Sequence, residues 1–455
     1  MIPHIPDELA YLYQGRILST GRLWVEAPAV PEAFTVRWDH ILRDSGRWRS
    51  LYPPGWPLLL AAGWWIRAPW LINPLLLGIS IIGLFKVAKQ LFDERTAILA
   101  VLAFATSPFV LLMSAGFMAH QAAFCFAIWC AFFLFRGERR DYVIASILGA
   151  FTFMIRPYTA PPLLIPLFLW AFWNADQKKR MAGQVLAGAI PFVVLFCVFN
   201  YLLFGAFFRT GYSYDTDAHF RGSLLHYFRI NVPWYFSNLN HSLWGWPWPD
   251  LLIFIPLLFP HKKWKVDLLL FLCFLSLLLA YSVYYYTDIV YAGPRYIYES
   301  VGFLAILAAR SIQIVEGWIE RYTTRKIAPL FALLFLYPLL WTLPQQMDYH
   351  KQVYHGQSRE LLDLVESSGV GKNALVLISG DPHVFRTFFL ENSLNPANAE
   401  RVFARDVVGL QESIVKAYNR KEIWLMRIEL TPLKGSNQYD DRAVIQSVKF
   451  QKIKN

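Results

Sequence analysis

Two acids stand side by side near the start of the chain, in "MIPHIPDELAYLYQGRILSTGRLW". Adjacent helical residues point about 100° apart, so Asp7 and Glu8 do not act as a matched acid/base pair on one substrate atom. One of them facing a cavity can serve as a general base, while the other caps a helix or pairs with an arginine. Spacing alone leaves the catalytic and the capping readings equally open. Tyr11, Tyr13 and Arg16 follow at helical spacing.

A second cluster lies in "YTDIVYAGPRYIYESVGFLAIL" (286–307). Gly293-Pro294 breaks the chain, and a helix is expected to start near Arg295. Arg295 and Glu299 are four apart and would share a helix face at the top of a span. Charges at that depth are costly and merit a functional reading, and an arginine there suits a lipid phosphate; the alternative is a pair that satisfies itself. His120, in "SPFVLLMSAGFMAHQ" (107–121), is more commonly a packing residue than a catalyst. Arg156, in "FMIRPYTAPP", marks another boundary. The aromatics of 199–215 and 244–250 suit an interface belt or stacking on sugar rings. No metalloprotease, Cys–His metal, nucleophile-elbow or phosphate-loop motif occurs.

These groups must be positioned by an oily chain. Over 455 residues it is 56% hydrophobic with a mean hydropathy of +0.34, too apolar for an ordinary soluble protein. The expected fold class is an all-α polytopic membrane protein of about ten spans with a small α/β soluble lobe. Spans are expected near 70–90, 96–113, 117–135, 141–156, 158–175, 182–204, 244–260, 265–286, 296–317 and 327–344, several of them apolar runs of about 18 or more residues, long enough to cross a hydrocarbon core. "GWPLLLAAGWWI" (55–66) is too short unless tilted and reads as half-buried or re-entrant. The expected units are an outer segment over 1–69, a transmembrane unit over 70–344 and an outer α/β lobe over 345–455.

The net charge of +11 reflects lysines and arginines in alternate loops, which the positive-inside rule places in the cytoplasm; nucleic acid is not an expected partner. The acidic pair, the 205–243 loop and the tail then all face outward. Residues 1–85 carry arginine but no lysine, and as a set these guanidinium forks favour an anionic ligand. The four cysteines sit in apolar spans and suggest neither a disulfide framework nor a metal site. No signal-peptide h-region is visible. In the tail, 374–379, 422–428 and 443–450 read as strands, and 358–368 and 408–418 as helices. The tail has no nucleotide-binding glycine signature, which favours a structural or acceptor-docking role.

The order "PDELAYLYQGRIL…G", "YPPGWPLLLAAG", "INPLLLG", "SPFVLLMSAGFMAH", "RPYTA", "FNYLLFG" and "GPRY" resembles the GT-C superfamily of polytopic glycosyltransferases. The likeness falls on the branch of the protein O-mannosyltransferases and the lipid A aminoarabinose transferase, and covers residues 1 to about 345. It implies a sugar donor carried on polyprenyl phosphate, a hydroxyl acceptor, and transfer at the outer, periplasmic face of the inner membrane. Asp7 matches the position of the family's catalytic base, with Glu8 beside it. Tyr11, His120, Arg156, Arg295, Tyr296 and Glu299 form the implied substrate-binding set, with Arg295 or Arg156 on the departing phosphate. Direct displacement would invert the anomeric centre. No cofactor is expected, and a divalent cation is left open. Family members carry a span before the acidic loop, whereas this chain begins inside that loop, so one crossing is expected to be missing. Where some members place an acid in the second outer loop, this chain offers His120. The competing classes are a lipid-linked sugar transporter or flippase and a non-catalytic sugar-lipid-binding protein. The first would place ionisable groups near the bilayer midplane, whereas the spans from 70 to 204 have no acid in their interiors.

Overall fold

A computed structural model of the chain describes residues 2–36, 39–214, 223–246, 253–259, 262–284, 287, 289–290, 293–321, 328–351, 356–432 and 443–454. The acidic segment forms α1 (Pro6–Ser19), with Pro6 in the first turn and Asp7 and Glu8 directly behind it. A small sheet follows, of β1 (Val25–Glu26), β2 (Ile41–Asp44) and β3 (Arg47–Ser50), in the order β1-β3-β2 and antiparallel throughout. Its tight hairpin turns on Ser45 and Gly46, with φ of 52° and 72°, the left-handed pair that a two-residue loop between twisted strands requires. No sheet was expected here from the residue pattern.

The segment expected to be half-buried is α2 (Gly55–Trp65), which packs along α1. Trp56 and Leu60 are fully buried, while Trp65 is exposed. Gly55 permits a close approach, since a Cβ there would lie 2.7 Å from the Ile155 nitrogen. Next come α3 (Ile72–Leu91), α4 (Glu94–Thr106), α5 (Pro108–Ala115), α6 (His120–Arg136), α7 (Asp141–Ile155), α8 (Ala160–Asn174) and α9 (Lys178–Phe204). Ser107 caps α5 by accepting from the Val110 amide, and Pro108 cannot continue α4. The pair therefore bends by 59° where one straight span was expected. Gly137 and Gly205, in the left-handed region, end α6 and α9.

Beyond these lie α10 (Leu224–Ser242), α11 (Ile255–Leu258), α12 (Trp264–Ser282), the bridge of β4 (Ile289–Val290) with β5 (Gly293–Pro294), and a 3₁₀ turn (Arg295–Ser300). That turn leads into α13 (Val301–Ile319). The last apolar stretch is α14 (Ala328–Tyr337), a π-helical turn (Pro338–Thr342) and α15 (Leu343–Lys351). Among the described residues, four helical stretches are long and apolar enough to cross a membrane: Pro69–Leu91, Lys178–Phe204, Trp264–Ser282 and Arg295–Ile319. The bent α4–α5 pair makes a fifth, and α6, α7 and α8 are shorter apolar helices. By length and apolarity alone the expected ten spans are not reached. The span expected over 244–260 is not one continuous helix among the described residues: only α11 is helical there, and 247–252 and 260 lie outside them.

After residue 356 come α16 (Arg359–Ser367), β6 (Ala374–Ser379), α17 (Arg386–Phe389), β7 (Val402–Arg405), α18 (Gln411–Ala417), β8 (Glu422–Pro432) and β9 (Ala443–Lys454). The sheet runs β7-β6-β8-β9, with β6 parallel to β7 and β8, and β9 antiparallel on β8. Five of the six β6 residues are buried, which is why "ALVLIS" is a continuous apolar run. This lobe sits on α1. Arg16 donates to the Leu390 and Asn392 carbonyls at 2.7 Å each, Tyr13 meets Phe389 edge to face, and Phe34 meets Phe385 and Tyr418.

Candidate active site

Pro157 disfavours helical geometry at the residue before it. So α7 ends at Ile155, and Arg156 adopts φ −140°, ψ 84°. That turn swings the Arg156 guanidinium into a buried crossroads. Its Nε lies 2.9 Å from Glu299 Oε1, and Nε also donates to Thr159 Oγ1 at 2.9 Å. Its Nη1 stands 3.2 Å from His120 Nε2, and its Nη2 donates to the Tyr281 hydroxyl at 3.0 Å. Guanidinium only donates, so His120 Nε2 accepts. The imidazole is then the Nδ1–H tautomer, and Nδ1 donates to Glu299 Oε1 at 3.1 Å. His120 and Glu299 are both fully buried.

Arg295 and Glu299 do not sit on a shared α-helical face, as expected, but in the 3₁₀ turn. At three residues per turn, positions four apart diverge by about 120°. Glu299 goes to Arg156 and His120, whereas Arg295 goes to Asp7, with Nη1 3.3 Å from Oδ1. Arg295 also lies over the Tyr296 ring, 4.9 Å from its centroid, and donates to the Tyr296 hydroxyl at 3.1 Å.

Asp7 is 16% exposed, and the Tyr52 hydroxyl donates to its Oδ1 at 2.6 Å. Burial alone would raise its proton affinity. The Arg295 charge, the nearby His40 and the Tyr52 bond outweigh that and hold the carboxyl at about 2. It is therefore ionised at any working pH. The stability it lends is fully present above the ordinary carboxylate range and is lost as pH falls through about 2. Burial pushes the Tyr11 and Tyr52 phenols up, so both remain neutral. Their rings lie 4.3 Å apart, and Tyr52 meets Tyr212 at 5.9 Å. Tyr281 and Tyr296 stack at 4.8 Å, with Tyr284 at 5.5 Å from Tyr296. The result is a cluster of tyrosines about one carboxylate and two arginines, largely buried, with Asp7 partly exposed and Tyr212 exposed; this is the candidate recess for a substrate.

Glu8 departs from the catalytic expectation. It is fully buried, accepting from the Phe117 amide at 2.7 Å and from the His4 amide at 2.9 Å. Trp56 Nε1 donates to the Phe117 carbonyl at 2.7 Å, and Asn73 Nδ2 donates to the Gly116 and Met118 carbonyls. Together they grip the turn that delivers His120, so Glu8 ties α1 to that turn as a positioning residue. Glu8→Ala strands the buried Phe117 amide, at about 1–3 kcal/mol, and frees the part-buried His4 amide. A lowered thermal midpoint in detergent is expected, with Glu8→Gln intermediate because an amide oxygen still accepts.

The arginines of the first segment are also mostly structural. Arg43 pairs with Asp39, Arg49 with Asp44, Arg47 stacks on Trp24, and Arg16 anchors the lobe; Arg37 and Arg221 lie outside the described residues. Seven predicted residues do converge: Asp7, Tyr11, His120, Arg156, Arg295, Tyr296 and Glu299. Sequence reasoning missed Tyr52, Thr159, Tyr212 and Tyr281, although Tyr52 opens "YPPGW" and Thr159 closes "RPYT". Among the described residues, no three His, Cys, Asp or Glu side chains are grouped as a metal site requires.

A family model described as dolichyl-phosphate-mannose-protein mannosyltransferase matches residues 60–203, a stretch that includes His120 and Arg156. The chain is similar in structure to ArnT from Cupriavidus metallidurans bound to undecaprenyl phosphate. There the identity is 12%, the match covers 98% of this chain and 94% of that one, and the TM-score is 0.58. The apo form of that protein gives 13% identity, 98% and 93% coverage and a TM-score of 0.55. The Archaeoglobus fulgidus oligosaccharyltransferase, in complex with Zn and sulfate, gives 14%, 94% of this chain, 64% of that one and 0.52. At such identities the likeness is one of fold. No curated protein matches the chain.

Proposed function

We propose that the chain, whose fold is similar to that of ArnT and whose residues 60–203 match the dolichyl-phosphate-mannose-protein mannosyltransferase model, is an inverting glycosyltransferase of the GT-C superfamily. It moves a sugar from a polyprenyl-phosphate donor to a hydroxyl acceptor at the outer face of the membrane. The observation that carries this is a partly exposed, ionised Asp7 held between Tyr52 and Arg295 within a cluster of tyrosines.

The acceptor hydroxyl attacks the anomeric carbon while its proton passes to Asp7, a general-base step. The new C–O bond forms as the bond to the donor phosphate breaks, with the electron pair leaving on the phosphate. No general acid is needed for such a leaving group, because positive charge placed in advance stabilises it. Arg295 supplies that charge. Arg156, locked by Glu299, His120, Thr159 and Tyr281, adds a second fixed cation. Tyr212, exposed beside Tyr52, presents both a stacking face and a hydroxyl to a sugar ring. The binding of ArnT to undecaprenyl phosphate supports a lipid of that chemistry here. The charged groups Asp7, Arg295, Arg156, His120 and Glu299 gather in one cluster rather than along a path through the helices, which favours the enzyme over a transporter.

The test is transfer of a labelled sugar from polyprenyl phosphate to lipid, glycan or protein acceptors by the full chain in proteoliposomes. Anomeric inversion in the product supports the reading, and retention overturns the mechanism. In this reading the Arg156 guanidinium, in contact with both His120 Nε2 and Glu299 Oε1, takes the place beside that pair where a cation would sit. Transfer is therefore expected to persist in excess chelator, and loss restored by added divalent ion would overturn the metal-free chemistry.

A further inference from the structure

Asp7 Oδ1 takes the Tyr52 hydroxyl at 2.6 Å and faces Arg295 Nη1 at 3.3 Å. Both neighbours stabilise the charged carboxylate, and His40 adds to them. Tyr11 lies close by, with its phenol neutral. A carboxylate held this way is a weak proton acceptor, yet transfer requires it to take a proton. The pair is also shielded, with the side chains of Arg295 and Asp7 only 7% and 16% exposed, so solvent does not loosen it.

These two demands are reconciled by an exchange of partner. We propose that the phosphate of the lipid donor takes Arg295 from Asp7, so that donor binding itself frees the base. The inference rests on the transfer reading above. A phosphate offers the guanidinium two oxygens for a bidentate grip, which the single contact with Asp7 Oδ1 does not match. It also brings negative charge beside Asp7, which favours protonation further. Tyr52 stays on Asp7 through the exchange and acts as a positioning residue that keeps Oδ1 aimed. The acceptor proton then moves to Asp7, and the electron pair of the breaking bond leaves on the phosphate already facing Arg295. When the lipid phosphate departs, Arg295 returns to Asp7. Donor must therefore bind before an acceptor is activated, and a donor with a neutral leaving group would leave the base masked.

The experiment uses a water-soluble carbodiimide with an amine trap, which reacts with protonated carboxyls. The full chain in detergent at about pH 6 is labelled alone, with undecaprenyl phosphate, with undecaprenol and with inorganic phosphate, and Asp7 is followed by mass spectrometry. Undecaprenyl phosphate is expected to speed Asp7 labelling about tenfold or more, because losing Arg295 enlarges the small protonated fraction of a carboxyl held so low. Undecaprenol is expected to leave the labelling unchanged. Acceleration by inorganic phosphate as well would place the recognition in the phosphate alone; acceleration only by the lipid phosphate would require the chain too. Both uphold the exchange. Arg295→Gln is expected to label fast in every arm. A second readout is the pH profile, in which the acid limb of kcat should lie above that of kcat/KM. Unchanged labelling while undecaprenyl phosphate binds and transfer proceeds overturns the exchange alone. Failure of undecaprenyl phosphate to bind overturns the transfer reading with it.

Discussion

Asp7→Asn lowers sugar transfer by about 10²–10⁴-fold, the range that a positioned general base contributes, while leaving the fold intact. Asparagine is nearly isosteric and its carbonyl still accepts from the Tyr52 hydroxyl, so the recess keeps its shape. What it loses is the negative charge that pairs with Arg295 and the lone pair that receives the acceptor proton. The loss should fall on kcat, because the donor phosphate addresses Arg295 and not Asp7. Binding of undecaprenyl phosphate is expected to strengthen, since under the proposed exchange the phosphate displaces Asp7 from its contact with Arg295. Transfer assays in proteoliposomes, a thermal scan in detergent and a lipid-binding titration separate these effects. Full turnover by the mutant would remove Asp7 as the base, and a collapsed thermal transition would assign it to structure instead.

The division of labour between Asp7 and Glu8 shows where the sequence stops. Two adjacent acids cannot share a target, which residue spacing alone establishes. Which one faces the recess depends on how α1 is rotated between α2 and the C-terminal lobe. That rotation is set by Tyr13 on Phe389, by Arg16 on the 390 and 392 carbonyls and by the amides of His4 and Phe117. Each charged member of the buried crossroads was visible by type, since an Arg, His or Glu beside an apolar run is conspicuous. Their pairing was not, because His120 and Glu299 lie 179 residues apart and Arg156 and Tyr281 lie 125 apart. Local spacing instead suggested Arg295 with Glu299, and the 3₁₀ turn separates them. The tyrosines were hidden for a different reason: a tyrosine lining a recess and one in an interface belt have the same local sequence signal. The lobe was easier to read, because the buried central strand of a parallel sheet advertises itself as an unbroken apolar run. The four-residue β7 (Val402–Arg405) was too short to do so.

Glu299 carries the second large effect. Its Oε1 accepts from His120 Nδ1–H and pairs electrostatically with the Arg156 guanidinium, in a site where Glu299 is fully buried and Arg156 nearly so. Removing one partner of a buried pair leaves the other charge without compensation, at about 3–5 kcal/mol. Glu299→Ala should therefore lower the thermal midpoint in detergent strongly and abolish transfer together with the fold of this region. Glu299→Gln divides charge from geometry. Its amide oxygen can still accept from His120 Nδ1–H, so part of the stability should return. The net positive charge of the recess would then rise by one, and undecaprenyl phosphate should bind more tightly than to the wild type. Transfer should stay below wild type, because Arg156 loses its ionic anchor and grips the departing phosphate less uniquely. A purely structural Glu299 would let the Gln variant bind lipid phosphate with unchanged affinity. An increase would tie the buried crossroads to the lipid phosphate of the proposed reaction.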